Sequence, residues 1–511
     1  MRRARPPMLA GLLAIGAAAV VAALAMPSAR LALMEHLPPA WKISLSARWH
    51  GVLVDHGIAI TLPDGVHLSA SLYLPKGAAG PLPTVLIRLP YHRLRYGEGY
   101  SSALFFARHG YAVLVQDLRG TGGSGGELLP WRDAAEDGAA TLDWIVLQPW
   151  SNGKVGTFGC SALGETQLVL AKKNHPAHAA MILSGAGGAV GSAAQRHGYF
   201  GVFEGGVFQL ASGFGWFAEH GSRQPAAPAA APFEHAQVLR RLPVSELVRG
   251  VRPAPNGYTD FLATPPGDPR WSAWGYLADS DRSRVPALVI NTWGDQTVGD
   301  ALALAESWRQ RGDGRSQKVI IAPGNHCQHE ESGTATERFG DLDLANAAQP
   351  WRQWYLRWFD HWLRGLPDRF DDLHAYNYFM LVENRWRSAD RWPPAEARIE
   401  RWFLGSGGQA NTRGGDGTLA TTGAEGGAFD TFRYDPANPV PTRGGPVCCT
   451  GNAGDRPGPA DQADVEARDD VLVYTSAPLP ADLRIAGPLR ARLTVSSSAP
   501  DTDLVLRLVH V

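Results

Sequence analysis

The sequence predicts an α/β domain split by a helical insertion and followed by an all-β sandwich. Three observations predict it. Short β-rich runs alternate with amphipathic stretches over residues 50–185 and again over 284–370. Between 186 and 283 the alternation stops and Gly, Ala, Pro, Phe and Trp dominate, with a low-complexity patch at 225–232. From 371 to 511 short β-rich runs lie between Gly, Pro and Asp turns. The first pattern is that of a parallel sheet covered on both faces, the last that of a sandwich.

The elements follow in order. Residues 58–62 and 66–74, joined at Pro63-Asp64-Gly65, read as a hairpin. Strands are predicted at 84–89, 111–117, 154–159 and 179–184, with helices at 101–109, 133–147 and 163–173 between them. After the insertion, read as a helical cap over the sheet, the rhythm resumes. A strand at 286–291, a helix at 299–311, a strand at 318–322 and a helix at 351–363 complete the domain. Segments 376–382, 398–404 and 471–474 read as sandwich strands. The closing stretch 504–511 reads as an interior strand with no closing turn. The sandwich is therefore expected to be truncated at its C-terminus, to leave unpaired edges, and to make the chain prone to aggregation or C-terminal proteolysis.

Residues 1–30 form a separate unit. Arg2, Arg3 and Arg5 precede an uncharged run of Leu, Ala, Val, Ile and Gly from 8 to 26, the pattern of an export signal or a single N-terminal anchor. Ala23-Leu24-Ala25 offers a cleavage site, and either outcome places the body outside the cytoplasm, periplasmic or extracellular, with membrane contact only through an uncleaved segment. Oxidation is then permitted. Cys160, Cys327, Cys448 and Cys449 are too few for a disulfide scaffold; Cys448 and Cys449 are expected to be poor mutual partners, and the connectivity stays open. With 48 Lys+Arg against 49 Asp+Glu and no basic cluster, the chain has no field for nucleic acid.

The chemistry centres on Gly159-Cys160-Ser161-Ala162-Leu163-Gly164, where a predicted strand runs into a helix. Such a turn exposes a serine hydroxyl at the carboxyl edge of the sheet. The second glycine comes one residue later than in G-x-S-x-G, and a helix-capping serine is the plainer reading. A nucleophilic serine needs an acid and a base in the chain order Ser, Asp, His. Asp295 follows the strand 286–291 and His326 follows the strand 318–322, so the ordered set is present. Asp300 and His329 are their local rivals. Gly120-Thr121-Gly122-Gly123-Ser124-Gly125 matches a dinucleotide fingerprint, but it opens no helix directly and no ribose-binding acid follows. His326-Cys327-Gln328-His329 with Glu330 and Glu331 matches no strong zinc spacing.

The chain resembles the CocE/NonD serine hydrolases, the cocaine esterase and X-Pro dipeptidyl-peptidase group. The resemblance is carried by Arg88-Leu89-Pro90-Tyr91, Gln116-Asp117-Leu118-Arg119-Gly120, Gln148-Pro149-Trp150, Gly159-Cys160-Ser161, Trp293-Gly294-Asp295 and Pro323-Gly324-Asn325-His326. Trp358-Phe359-Asp360-His361-Trp362, Glu383-Asn384-Arg385-Trp386 and Pro441-Thr442-Arg443-Gly444-Gly445 extend it. It implies an α/β-hydrolase domain with a helical cap and a C-terminal jelly-roll. It also implies Ser161 as nucleophile, His326 as general base and acid, and Asp295 as its orienting partner. The resemblance further implies the Ala162 N–H and the Tyr91 hydroxyl as the oxyanion donors. Where the family usually has tyrosine after the nucleophile, this chain has Ala162. The expected activity is cleavage of small ester, amide or short X-Pro peptide substrates through an acyl-enzyme, with no metal or organic cofactor. The alternative is a catalytically silent ligand-binding protein on the same fold.

Overall fold

A computed structural model describes residues 51–511 apart from 79, 201, 225–230, 253–254, 312–316, 331–336, 424–427 and 452–455. The expected export or anchor segment lies outside the described residues. Strand β1 (Val52–Thr61) alternates exposed and buried side chains and pairs antiparallel with β2 (His67–Pro75), the predicted hairpin. The next strands, β3 (Leu82–Leu89), β4 (Ala112–Asp117), β5 (Ser151–Cys160) and β6 (His178–Ser184), carry nearly continuous buried runs. That pattern belongs to parallel strands covered on both faces, because crossover helices shield them from water.

Between these strands lie α1 (Gly97–Arg108), α2 (Ala134–Val146) and α3 (Ala162–Ala171). The cap contains α4 (Leu210–His220), a two-stranded hairpin and several turns of helix. It is held by an aromatic cluster that includes Phe214, Phe217, Tyr258, Phe261 and Trp271. The sheet resumes with β7 (Ala287–Gly294), α5 (Val298–Arg311), β8 (Gln317–Asn325) and α6 (Trp351–Arg364). On α6, Trp351, Trp354, Tyr355, Trp358, Phe359 and Leu363 fall at helical spacing and are buried as one stripe. Gly365, in the left-handed conformation, stops that helix. Helices α1 and α6 cover one face of the sheet; α2, α3 and α5 cover the other.

One expectation is revised. The segment predicted at 376–382 to begin the sandwich instead continues the main sheet: β9 (Tyr376–Met380) pairs parallel with β8, and β10 (Arg385–Ala389) pairs antiparallel with β9. Trp392 packs on Tyr376 and Tyr378, so apolar burial on this edge wins over a separate sandwich strand. The sheet order is β1-β2-β4-β3-β5-β6-β7-β8-β9-β10, mostly parallel. Beyond Ala389 most of the described chain has no regular secondary structure. Its pairing consists of a hairpin between Phe403–Gly405 and Thr418–Ala420 and bridges such as Asn411 to Leu472 and Thr418 to Thr475. Two closed sheets are not formed there among the described residues, and Leu489, Val495, Val505 and Leu506 are exposed. Among the described residues no helix is long and apolar enough to cross a membrane.

Candidate active site

Strand β5 ends at Cys160 and α3 begins at Ala162, so Ser161 is the whole turn between them. Its φ of 59° and ψ of −129° are unfavourable for an L-residue. Conformations of this kind cost about 1–3 kcal/mol and persist only where the surroundings impose them. Here Ser161 N donates to Ser184 O of β6 at 2.9 Å, and Ser161 O accepts from Gly164 N and Glu165 N as α3 starts. The late glycine has a packing cause. A Cβ on Gly164 would come within 2.7 Å of the Ala186 Cβ, so the close approach of α3 to the chain after β6 requires glycine at 164. Ala162 is the first residue of α3, where a backbone N–H lacks an intrahelical partner.

Asp295 and His326 leave the carboxyl ends of β7 and β8. Asp295 is fully buried, and its Oδ2 accepts from His326 Nδ1 at 2.6 Å. Its Oδ1 accepts from both the N–H and the hydroxyl of Thr297 at 2.8 Å. Burial pushes this carboxyl up, but the imidazole charge and the three hydrogen bonds outweigh it and hold it below the usual carboxylate range. Burial alone would lower His326; the Asp295 charge and hydrogen bond outweigh it and raise the imidazole above its ordinary value. His326 Nε2 is buried and makes no hydrogen bond among the described residues, and His326 and Ser161 line one pocket.

That pocket is small, with about 30 Å³ of space open to water. Phe200, Val202 and Trp216 give it an apolar wall, and Cys448 and Cys449 close it from the C-terminal region. Ser212 ties these parts together: its hydroxyl lies 2.7 Å from Cys448 O and 3.1 Å from Gln296 Oε1, sharing its one proton between them. Tyr91 follows β3. Its hydroxyl accepts from Trp216 Nε1 at 3.2 Å and is hydrogen-bonded to Ser161. Burial, opposed by those two bonds, pushes the phenol up to about 12, so it keeps its proton at neutral pH. The Tyr91 loop is anchored two residues on. Arg93 N donates to Asp117 Oδ1 at 2.6 Å and its guanidinium pairs with Oδ2 at 2.5 Å, both side chains being buried. Glu165, at the pocket floor, accepts from the N–H groups of Gly187, Gly188 and Ala189 at 2.6–2.7 Å.

Residues 64–328 match the family described as X-Pro dipeptidyl-peptidase (S15 family), and residues 368–511 match the X-Pro dipeptidyl-peptidase C-terminal non-catalytic domain. The chain belongs to the S15 family. It is a serine hydrolase with the α/β-hydrolase fold and a β-rich C-terminal domain. It is 33% identical over 482 residues to cocaine esterase of Rhodococcus sp., covering 90% of this chain and 80% of the esterase. Two solved structures share its fold at 24% identity. An aminopeptidase from a marine sediment Thaumarchaeota archaeon superposes with a TM-score of 0.67, over 85% of this chain and 73% of that one. An alpha-amino acid ester hydrolase superposes with a TM-score of 0.60, over 86% and 74%.

The rivals within this S15 hydrolase are engaged elsewhere. Asp300 pairs with Arg196 of the cap. His329 is buried, shares a 2.6 Å hydrogen bond with the Tyr355 hydroxyl, and is pushed down to about 3 by burial. The glycine loop at 120–125 folds back on its own strand: Gly123 N donates to Asp117 Oδ2, Ser124 Oγ to Asp117 O and Gly125 N to His67 O. Most of its donors are thereby spent within the protein. His326, Cys448 and Cys449 place ligand atoms within 4.8 Å of one another, but both sulfurs are joined in a disulfide and have no thiolate to give a metal. The expectation that these neighbours make poor partners is corrected by that bond. The other disulfide joins Cys160 to Cys327. Sequence reasoning missed Trp216, Gln296 and Ser212, since a cap without periodicity gives no signal for which side chain reaches the pocket.

Proposed function

We propose that this hydrolase cleaves small carboxylic esters through an acyl-enzyme on Ser161. The observation that carries the reading is the meeting of Ser161 and the buried Asp295–His326 pair at one pocket, with the Tyr91 hydroxyl hydrogen-bonded to Ser161. His326 Nε2 takes the Ser161 proton as Oγ attacks the carbonyl carbon, while Asp295 holds the imidazole by Nδ1 and stabilises the cation that forms. The oxyanion accepts from the Tyr91 hydroxyl and the Ala162 N–H. His326 then protonates the leaving alkoxide. Water, deprotonated at Nε2, attacks the acyl-enzyme, and Ser161 leaves with the proton returned.

An ester is favoured over an X-Pro peptide by the pocket's own chemistry. A dipeptidyl-peptidase must hold the substrate's terminal ammonium, which calls for a free carboxylate. Glu165 is the acidic side chain among the described lining residues, and three backbone N–H groups already occupy it. Relatedness to cocaine esterase supports the same choice. The apolar run at 8–26 and the two disulfides support export, since such bonds persist outside the reducing cytoplasm. Labelling with a fluorophosphonate, followed by p-nitrophenyl esters and X-Pro-anilides, tests the reading. Ser161→Ala should abolish labelling and ester turnover with the fold intact. Retained labelling would overturn the nucleophile, and faster anilide than ester cleavage the substrate class.

A further inference from the structure

The bond between Cys160 and Cys327 ties the residue before Ser161 to the residue after His326. The two half-cystines are 167 residues apart in sequence, and their Cα atoms are 5.8 Å apart. Ser161 leaves β5 and His326 leaves β8, with β6 and β7 between them in the sheet. Three strand intervals of about 4.8 Å separate those strands by roughly 14 Å. The chain after β8 must therefore turn back over two strands to bring His326 to the pocket. Cys327 does so at φ 62°, a left-handed conformation that cysteine seldom adopts, and its sulfur reaches the buried Cys160.

The crossing point is Gly185, at φ +51° just beyond β6. A Cβ there would lie 2.9 Å from Cys160 Sγ, 2.9 Å from Asp295 Oδ2 and 3.2 Å from His326 Cε1. The disulfide thus packs against the Asp295–His326 pair in a space that glycine leaves open.

We infer that Cys160 and Cys327 are positioning residues for the hydrolysis, their disulfide holding His326 over Ser161. The inference rests on the proposed roles of those two residues. Reduction by a dithiol cleaves the S–S bond to two thiols, the reductant supplying two electrons and two protons and closing to its own disulfide. It leaves the nucleophile and the base unchanged in kind and frees their relative placement.

The test compares the oxidised wild type, the wild type reduced with dithiothreitol, the reoxidised wild type, and Cys160→Ala/Cys327→Ala with and without reductant. Fluorophosphonate labelling rate, kcat and KM on a p-nitrophenyl ester, the pH profile and thermal unfolding are measured for each. Reduction and the double substitution should each lower kcat and the labelling rate by about 10- to 100-fold, the scale of an ångström misplacement, with KM within about threefold. The acid limb of the profile should move to lower pH as His326 loosens from Asp295. Reoxidation should restore the wild type, and the loss on reduction should be larger in the wild type than in the double variant, whose response to dithiothreitol reports Cys448–Cys449 at the pocket wall. A double variant with wild-type kcat and labelling would overturn the inference while leaving the triad standing. Loss of kcat and KM together with loss of cooperative unfolding would overturn it too, since the bond would then serve the fold alone. A wild type that never labels would overturn the triad and this inference with it.

Discussion

Trp216 of the cap donates its indole N–H to the hydroxyl of Tyr91 on the loop after β3, at 3.2 Å. Because the phenol oxygen accepts from the indole, its own proton is left to donate into the pocket, where Ser161 is its neighbour. Tyr91→Phe should lower kcat by about 10²- to 10³-fold with KM much less changed. Trp216→Phe keeps an aromatic wall and removes the orienting bond, so a loss of about 2- to 10-fold is expected, the size of one net hydrogen bond. Steady-state kinetics of both variants checks the ranking; near-normal kcat in Tyr91→Phe would send the second oxyanion donor elsewhere.

The pH profile follows from the Asp295–His326 pair. The base must be neutral to accept the serine proton, and its folded value lies above the ordinary 6.5, so the acid limb of kcat/KM should have its midpoint above 6.5. Asp295→Asn should cost about 10⁴-fold in kcat, because the imidazole loses its orienting partner. The signs for stability run the other way. A raised His326 contributes fully below 6.5 and loses that contribution as pH climbs through its folded value. Asp295, held below 3.8, contributes above that value and loses its share as acid passes its folded value. Activity should therefore rise with pH while the histidine's share of stability declines, a divergence that unfolding midpoints and kcat/KM measured in the same buffers would show.

His329, three residues from His326, provides the contrast. Its Nε2 is committed to Tyr355 and its ring packs edge-on against Trp351, both on α6. His326→Ala should lose several orders of magnitude in kcat. His329→Ala should leave kcat within a few-fold and instead lose about 1–3 kcal/mol of stability, for the cavity left against Trp351 and one of the two hydrogen bonds of the Tyr355 hydroxyl, which keeps Glu330. The opposite pattern would move the base to His329.

The alternation of continuous apolar runs with helices made the central sheet legible, and the meeting of Ser161 and the Asp295–His326 pair at one pocket was legible because strand ends and chain order constrain them together. Tyr91 required the family resemblance, since one tyrosine after a strand has no chemical signature. The β9 strand, read at 376–382, was assigned to the sandwich because short strands between turns look alike whether they extend a sheet or start a sandwich; only partner burial decides. The Cys160–Cys327 bond was hidden by distance, although each cysteine stands beside a candidate triad residue. The doubled Cys448-Cys449 looked unsuited to pairing and is paired at the pocket wall, where only the folded chain brings the C-terminal region against the cap.

The last prediction concerns what holds Tyr91 in place. Asp117 ends β4 wholly buried, and no water can replace what it gives Arg93: one oxygen to the backbone N–H and one to the guanidinium. Asp117→Ala strands a guanidinium that is only 6% exposed. Breaking a buried pair from one side costs about 3–5 kcal/mol, more than either group would lose at the surface. The backbone bond matters separately, since it fixes the chain two residues beyond the phenol. In Asp117→Asn the amide can still accept from the Arg93 N–H, so this variant should recover most of kcat while remaining less stable than wild type. Urea unfolding and kcat, measured for both variants where each is folded, separate the two effects; an alanine variant with wild-type kcat would show that the Tyr91 loop is held by other contacts.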